Sequence, residues 1–282
     1  MLTSVTAGRY TLRGVSLGGV YTALHVPELD LLFDVGVAPR SFAGARTLCL
    51  SHGHVDHSGA LAALLGIRAL TGQRAPLRVI MPAEIEADLT AALAAMTRMQ
   101  RWPLDIEPVG LRPGDTYPLR ADVELRALRT FHPVPSLGYQ LVRTVTKLRP
   151  EYVGLAGPEI ARRKAAGEPL FDRVTRPELA YATDTLATVL DHNPDLTRSH
   201  VLILEATFLD ERKSVETARA GCHIHLDELI ARADAFANDH IVLMHFSGVY
   251  RPAEIGPLLD RRLPADLRRR VIPFVPVGDW PG

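Results

Sequence analysis

The chain has 282 residues, 47% hydrophobic and 23% charged, with Lys plus Arg and Asp plus Glu equal at 32 each. That is the make-up of a globular protein of one large or two small domains, and zero formal net charge argues against a surface that grips long nucleic acid all over. Two cysteines, Cys49 and Cys222, give no disulfide framework, the apolar runs are strand-sized rather than membrane-spanning, and MLTSVTAGRYTLRG lacks a signal-peptide core, so a cytoplasmic protein without a membrane partner is expected.

Short segments rich in Val, Leu and Thr, bounded by Gly, Pro or Asp, predict strands at Val20–Val26, Leu29–Phe33, Thr47–Leu50, Val123–Leu128, Leu179–Ala182, Val201–Leu204 and Ile241–Met244. Ala83–Met99 places Ile85, Leu89, Leu93 and Met96 at helical spacing, and Ile224–Phe236 does so with Leu226, Leu229, Ile230 and Ala233. Pro252 and Pro264 sit where first turns of helices begin. Strands without long helices come first, then strands and helices alternate, with no repeat or hinge. A single layered α/β domain over residues 1–282 is expected, with its site on loops past strand ends.

Directly after Thr47–Leu50 the chain reads Ser51-His-Gly-His-Val-Asp-His-Ser-Gly59. Imidazole and carboxylate suit zinc. In an extended loop His52 and His54 point the same way, while Asp56 and His57 lead into a predicted helix, Ser58–Gly66, and aim at a neighbouring point. One loop can thus supply parts of two adjacent metal sites. His25, His192, His200 and His240 have no motif around them and read as surface or structural histidines. Cys222 reads as a small buried residue, and Met96–Met99 with Trp102 as core or a subunit contact.

HGHVDHSG resembles the HxHxDHxxG signature of the metallo-β-lactamase superfamily, whose fold is a four-layer αββα sandwich. Later segments resemble its ribonuclease Z group: HPVPSLGY around His132, TDT around Asp184, Glu205-Ala-Thr-Phe208, Gly221-Cys-His223, and His-Phe-Ser247 with Tyr250. The resemblance runs from about Val20 to Tyr250. It implies a first zinc on His52, His54 and His132, a second on Asp56, His57 and His245, and Asp184 bridging both; manganese or iron would suit the same ligands. It also marks Asp56, His223 and Glu205 as catalytic, with His223 oriented by Glu205; His225 is a weaker rival. Two metals about 3.5–4 Å apart can share a water and lower its pKa, giving a hydroxide that attacks a phosphodiester. Expulsion of the alkoxide needs a proton donor such as His223. Asp34 is either a carboxylate that orients a ligand histidine or a plain turn residue.

The resemblance therefore implies a phosphodiesterase, with RNA 3′ ends or smaller phosphodiesters as substrate and a homodimer as its assembly. The alternative on the same scaffold is a hydrolase of a sulfate ester, lactone, thioester or β-lactam. Some features depart from the group. Val55 replaces a Gly, Val249 stands where an Arg is common, and Asp34 is followed by Val-Gly-Val rather than Gly-Glu-Gly. The group's long arm would fall between His132 and Asp184, where only Lys147–Pro158 and a helix-like Glu159–Gly167 occur, so the arm is expected to be missing.

Overall fold

The computed structural model describes residues Leu2–Pro281. The first sheet is laid out in chain order: β1 (Thr3–Ala7), β2 (Tyr10–Leu17), β3 (Tyr21–Val26), β4 (Leu31–Phe33), β5 (Thr47–Cys49), β6 (Leu77–Pro82) and β7 (Ile106–Leu111). The second contains β8 (Thr116–Arg120), β9 (Val123–Arg129), β10 (Leu137–Leu148), β11 (Phe171–Ala182), β12 (Val201–Glu205), β13 (His240–Met244) and β14 (Val271–Pro273). Each sheet starts antiparallel and turns parallel, at β4 in the first and β11 in the second. The parallel strands read as near-continuous apolar runs because both their faces are covered, as in β4 and β12, where every residue is buried.

The sheets face each other across a core that includes Leu24, Phe33, Ile80, Leu125, Tyr139, Tyr181 and Met244. Phe33 stacks on Tyr181 with ring centroids 4.5 Å apart. Outside the first sheet lie α1 (Val55–Ser58), α2 (Leu61–Leu70) and α3 (Glu86–Gln100), with Leu64, Leu65 and Leu93 turned inward. The second sheet is covered by α5 (Thr188–His192), α7 (Leu226–Ile230), α8 (Pro252–Arg262) and α9 (Ala265–Arg268); α4 (Gly157–Ala165) and α6 (Val215–Ala220) complete the helices named here. The αββα sandwich expected from the sequence is the observed architecture. Among the described residues no helix is long and apolar enough to cross a membrane.

Several sequence expectations shift. The helix foreseen at Ser58–Gly66 is interrupted near its start: Ser58 ends α1, Ala60 leaves the helical region at φ −97° and ψ 10°, and α2 begins at Leu61. That foreseen at Ile224–Phe236 shortens to α7, followed by a 3-10 turn at Ala233–Ala235. The His225 side chain caps α7 by accepting from the Asp227 N–H, which fixes where it starts. Met99 and Trp102 are exposed, so they are not core.

Sequence reading placed no long hairpin where the group's arm would fall. The interval between His132 and Asp184 forms a long hairpin, in which β10 pairs antiparallel with β11 from Tyr139/Tyr181 out to Leu148/Phe171. Its inner half is buried, whereas residues Phe171–Arg176 are all exposed, and α4 sits in the connection at its far end. Val142–Lys147 reads Val-Arg-Thr-Val-Thr-Lys, rich in the β-branched residues that favour strands but without a regular apolar–polar alternation.

Candidate metal centre

The polar residues singled out in the sequence converge where the parallel strands end. β4 delivers Asp34, β5 leads to Ser51 and His52, β11 to Asp184, β12 ends on Glu205, and β13 leads to His245. Crevices beyond the carboxyl ends of parallel strands are where α/β sheets hold ligands. The loops are locked together. The Leu137 N–H donates to the Ser51 carbonyl at 2.8 Å, and the Val35 N–H to that of His57 at 2.6 Å. Gly36 lies so near the Asp56 carbonyl that a Cβ would stand 1.9 Å from its oxygen, so any other residue would push Asp56 away. Asp34, Asp184 and His245 all adopt left-handed backbone, with φ of 56°, 45° and 60°. Such strain at non-glycine residues costs on the order of 1–3 kcal/mol each and clusters at functional sites.

Two donor sets face one another. One comprises His52, His54, His132 and Asp184; the other Asp56, His57, Asp184 and His245; within each set the ligand atoms lie within 4.8 Å of one another. In the first, His54 Nδ1 is 3.0 Å from His52 Nε2 and 3.2 Å from His132 Nε2. In the second, His57 Nε2 is 3.5 Å from Asp56 Oδ2 and 3.3 Å from Asp184 Oδ1, which is 3.2 Å from His245 Nε2. A tetrahedral zinc with ligand distances of 2.0–2.1 Å separates its nitrogens by about 3.3 Å, so these spacings fit the edges of such polyhedra. Asp184 Oδ2 turns the other way, 3.8 Å from His52 Nε2. Asp184 therefore offers one oxygen to each set.

The tautomers fit a metal as well. His57 Nδ1 donates to Asp34 Oδ2 at 2.8 Å. Asp34 also accepts from the Ser51 hydroxyl, so His52 Nδ1, 3.0 Å from that oxygen, is placed as its donor. In the same way the Thr207 hydroxyl donates to Glu205 and faces His245 Nδ1 at 3.0 Å. In all three the partner places a proton on the outer nitrogen, so that the neutral ring would point Nε2 inward with a lone pair, the arrangement that carboxylate and hydroxyl partners impose on metal-binding histidine. His57 Nε2 and His245 Nε2 are buried without a hydrogen-bond partner among the described residues. The residues present thus fit a pair of divalent cations.

Without cations the centre is electrostatically unbalanced. Burial alone would lower the pKa of His57, yet the surrounding carboxylates of Asp184, Asp34 and Asp56 outweigh it and raise it to about 9. Burial, then repulsion from His57, presses His52 down to about 2. Burial would raise Asp184, but His245, His57 and His52 hold it well below the usual carboxylate range. A cation held by the second set would take the place of the His57 proton.

His223 stands beside the two sets, its ring centroid 5.3 Å from that of His245 and 6.2 Å from that of His132. Glu205 is fully buried and lies 3.2 Å from His223 Nδ1. Its oxygens also accept from the Thr185 N–H at 2.6 Å, the Thr207 hydroxyl at 2.6 Å and the Ile224 N–H at 3.1 Å. Burial would lower the pKa of His223, but the Glu205 carboxylate prevails and raises it to about 9. His225 is turned away, with its Nε2 3.2 Å from the Asp210 carbonyl oxygen. Cys222 is half-buried rather than buried.

Sequence reading left Asp34 open between orienting carboxylate and turn residue; it does both, at a left-handed turn and bonded to His57. Ser51, Thr207 and Tyr181 escaped notice. The first two lie next to, or two residues from, singled-out residues and could have been flagged as hydroxyls able to fix tautomers. Tyr181 reaches Asp34 only through the packing of one sheet on the other, which no local pattern encodes.

The comparisons with known proteins agree with this geometry. The beta-lactamase superfamily domain matches residues 32–246. The chain is 36% identical to tRNase Z TRZ1 of Arabidopsis thaliana over 93% of its own length and 94% of that protein's. It is 35% identical to the chloroplastic tRNase Z TRZ2 of the same plant, over 94% and 75%. Among solved structures it is similar in fold to YhfI from Bacillus subtilis, a metallo-β-lactamase fold protein, at a TM-score of 0.62 and 15% identity, over 94% of this chain and 95% of that one. Human short-form tRNase Z follows at a TM-score of 0.58 and 17% identity, over the same 94% and 95%. With two converging donor sets at the edge of an αββα sandwich and these relatives, the chain belongs to the metallo-β-lactamase superfamily, in its ribonuclease Z group.

Proposed function

We propose that this protein is a ribonuclease Z-like phosphodiesterase with two zinc ions, acting on RNA as a homodimer. The observation that carries the reading is Asp184, whose two oxygens face two separate donor sets. His52, His54 and His132 would hold one ion, Asp56, His57 and His245 the other, with Asp184 between them. Bound there, the pair supplies Lewis acidity, drawing the pKa of water towards neutrality and offsetting charge on the phosphoryl oxygens.

The chain's own residues supply the rest. Asp34, Ser51 and Thr207 hold the histidine rings so that their inward nitrogens stay free. Asp56 is only partly buried and reaches the edge of the site, where it can orient a water. Glu205 keeps a proton on His223, and His223 gives that proton to the departing alkoxide, which otherwise leaves poorly. No protein nucleophile is needed.

RNA is favoured by the hairpin of β10 and β11. Between residues 142 and 177 stand eight Lys or Arg against four Asp or Glu, in a chain whose overall balance is zero. Cationic charge concentrated on a projecting element supports a local grip on phosphates. A homodimer is supported by exposed apolar side chains at one end of the outer helices: Leu70 at 89%, Met99 at 76% and Trp102 at 60% exposure. The test is turnover of a precursor tRNA beside bis-p-nitrophenyl phosphate, by the zinc-loaded protein. Removal of the 3′ trailer supports the full reading; hydrolysis of the small diester alone would restrict it to smaller substrates. Hydrolysis of neither would overturn it.

A further inference from the structure

The loop that brings His132 to the metal centre also walls a hollow of about 390 Å³ whose lining includes Glu84, Arg129, His132, Pro133, Val134 and Pro135. That size falls in the range of about 300–1,000 Å³ typical of small-ligand clefts. His132 is common to the hollow and to the first donor set, so whatever fills it abuts the reacting phosphate. The wall is preformed. Two prolines fix its backbone, Thr130 Oγ1 and Ser136 Oγ are 2.6 Å apart across its base, and Leu137 is tied to Ser51.

Its charges are unusual for this surface. Elsewhere on β9 Arg126 pairs with Glu124, but neither Arg129 nor Glu84 has an oppositely charged partner among the described residues. The Arg129 guanidinium lies over the Phe131 ring, 5.3 Å from its centroid, which holds it without neutralising it. A cation and an anion that share one cavity and do not meet leave a gap for a molecule with complementary ends. Pro133, Val134 and Pro135, which line the same hollow, offer an apolar face. A nucleotide has these three features: a phosphate for Arg129, a flat base for the apolar wall, and exocyclic amines for a carboxylate.

We propose that this hollow is the subsite for the nucleotide adjoining the scissile phosphate, with Arg129 engaging the next phosphate along and Glu84 accepting from a base amine. The assignment rests on the phosphodiesterase reading and makes a single-stranded oligonucleotide, rather than a small diester, the substrate the site is shaped for. Arg129 and Glu84 determine specificity and take no part in the chemistry.

The metal-loaded protein is assayed on a short single-stranded RNA and on bis-p-nitrophenyl phosphate, and the ratio of the two kcat/KM values is compared across variants. Arg129→Ala is expected to lower that ratio about tenfold through KM for RNA, the loss that about 1.4 kcal/mol of charge-assisted contact represents. Arg126→Ala, on the same strand but already paired, is the control and should leave the ratio unchanged. Independently, CMP should inhibit more strongly than UMP, which lacks the amine, and Glu84→Ala should erase that difference. A ratio within twofold of wild type in Arg129→Ala, or equal inhibition by CMP and UMP in the wild type, would overturn the assignment. Absence of all diester hydrolysis would instead strike the phosphodiesterase reading, and CMP and UMP binding would still test the subsite.

Discussion

The Tyr181 hydroxyl, on the second sheet, donates to Asp34 Oδ2, on the first, at 2.5 Å. That oxygen also accepts from His57 Nδ1 and the Ser51 hydroxyl, so one carboxylate ties both sheets to the metal centre. Partners of metal-binding histidines typically account for about 10–100-fold in metal affinity. Asp34→Ala is therefore expected to weaken the metal on the His57 set by about that factor, and that on the His52 set, reached only through Ser51, by less. Tyr181→Phe, one bond further out, should weaken the former by only a few-fold while the fold is retained. Stepwise zinc titration with a competing chelator distinguishes the two sites; equal loss at both would show that the network only supports the fold.

His223 and Glu205 should separate from the metals. His223→Ala is expected to keep both ions and lose about 10²–10⁴-fold in turnover on diesters with poor leaving groups, far less on p-nitrophenyl esters. Glu205→Gln removes the carboxylate that outweighs burial at His223, so the imidazole gives up its proton more readily and turnover at neutral pH falls. Metal content measured beside the rates decides the matter. Release of an ion from His223→Ala would make that residue a ligand instead.

Asp210 sets a pH dependence of stability away from the metals. Burial would raise its pKa, but hydrogen bonds from the Arg212 side chain and backbone lower it, and the Tyr250 hydroxyl adds to them. A carboxyl depressed in the folded state contributes stability above its unfolded pKa of about 3.9 and loses it as pH falls through the folded value. Asp210→Asn should therefore be about 1–3 kcal/mol less stable than wild type at pH 7. The gap should close below pH 4 or so in urea unfolding series. A gap independent of pH would assign the loss to shape rather than charge.

Cys222 follows α6 in the left-handed region, at φ 58°, where a side chain other than glycine is strained. Cys222→Gly should raise thermal stability by up to about 1 kcal/mol, since relief of strain outweighs the added chain entropy. A decrease would mean that the half-buried thiol packs usefully.

Much of the centre was legible because its ligands sit in one tight motif and at the ends of apolar strands. His52, His54, Asp56 and His57 declare themselves by spacing alone, whereas His132, Asp184 and His245 are picked out by the resemblance to the superfamily, which calls for three further ligands downstream. What stayed hidden depends on contacts between distant segments. Tyr181 meets Asp34 across the core, and the hollow beside His132 exists only where the turn after β6, which carries Glu84, and the β9–β10 loop line one cavity. The hairpin of β10 and β11 was missed because its exposed strands carry no buried face, so the usual alternation of apolar and polar residues is faint there. Helix ends failed for a local reason: the break at Ala60 and the cap on α7 interrupt or shorten periodic patterns that would otherwise continue.

Metal stoichiometry tests the central claim most directly. The protein and its Asp184→Ala variant, stripped by chelator and dialysed against a slight excess of zinc, are analysed by elemental mass spectrometry against protein concentration. Two zinc ions per chain in the wild type, and fewer than two in the variant, are expected if Asp184 joins two donor sets. A wild type that binds less than one ion per chain, or a variant that still binds two as tightly, would contradict the account.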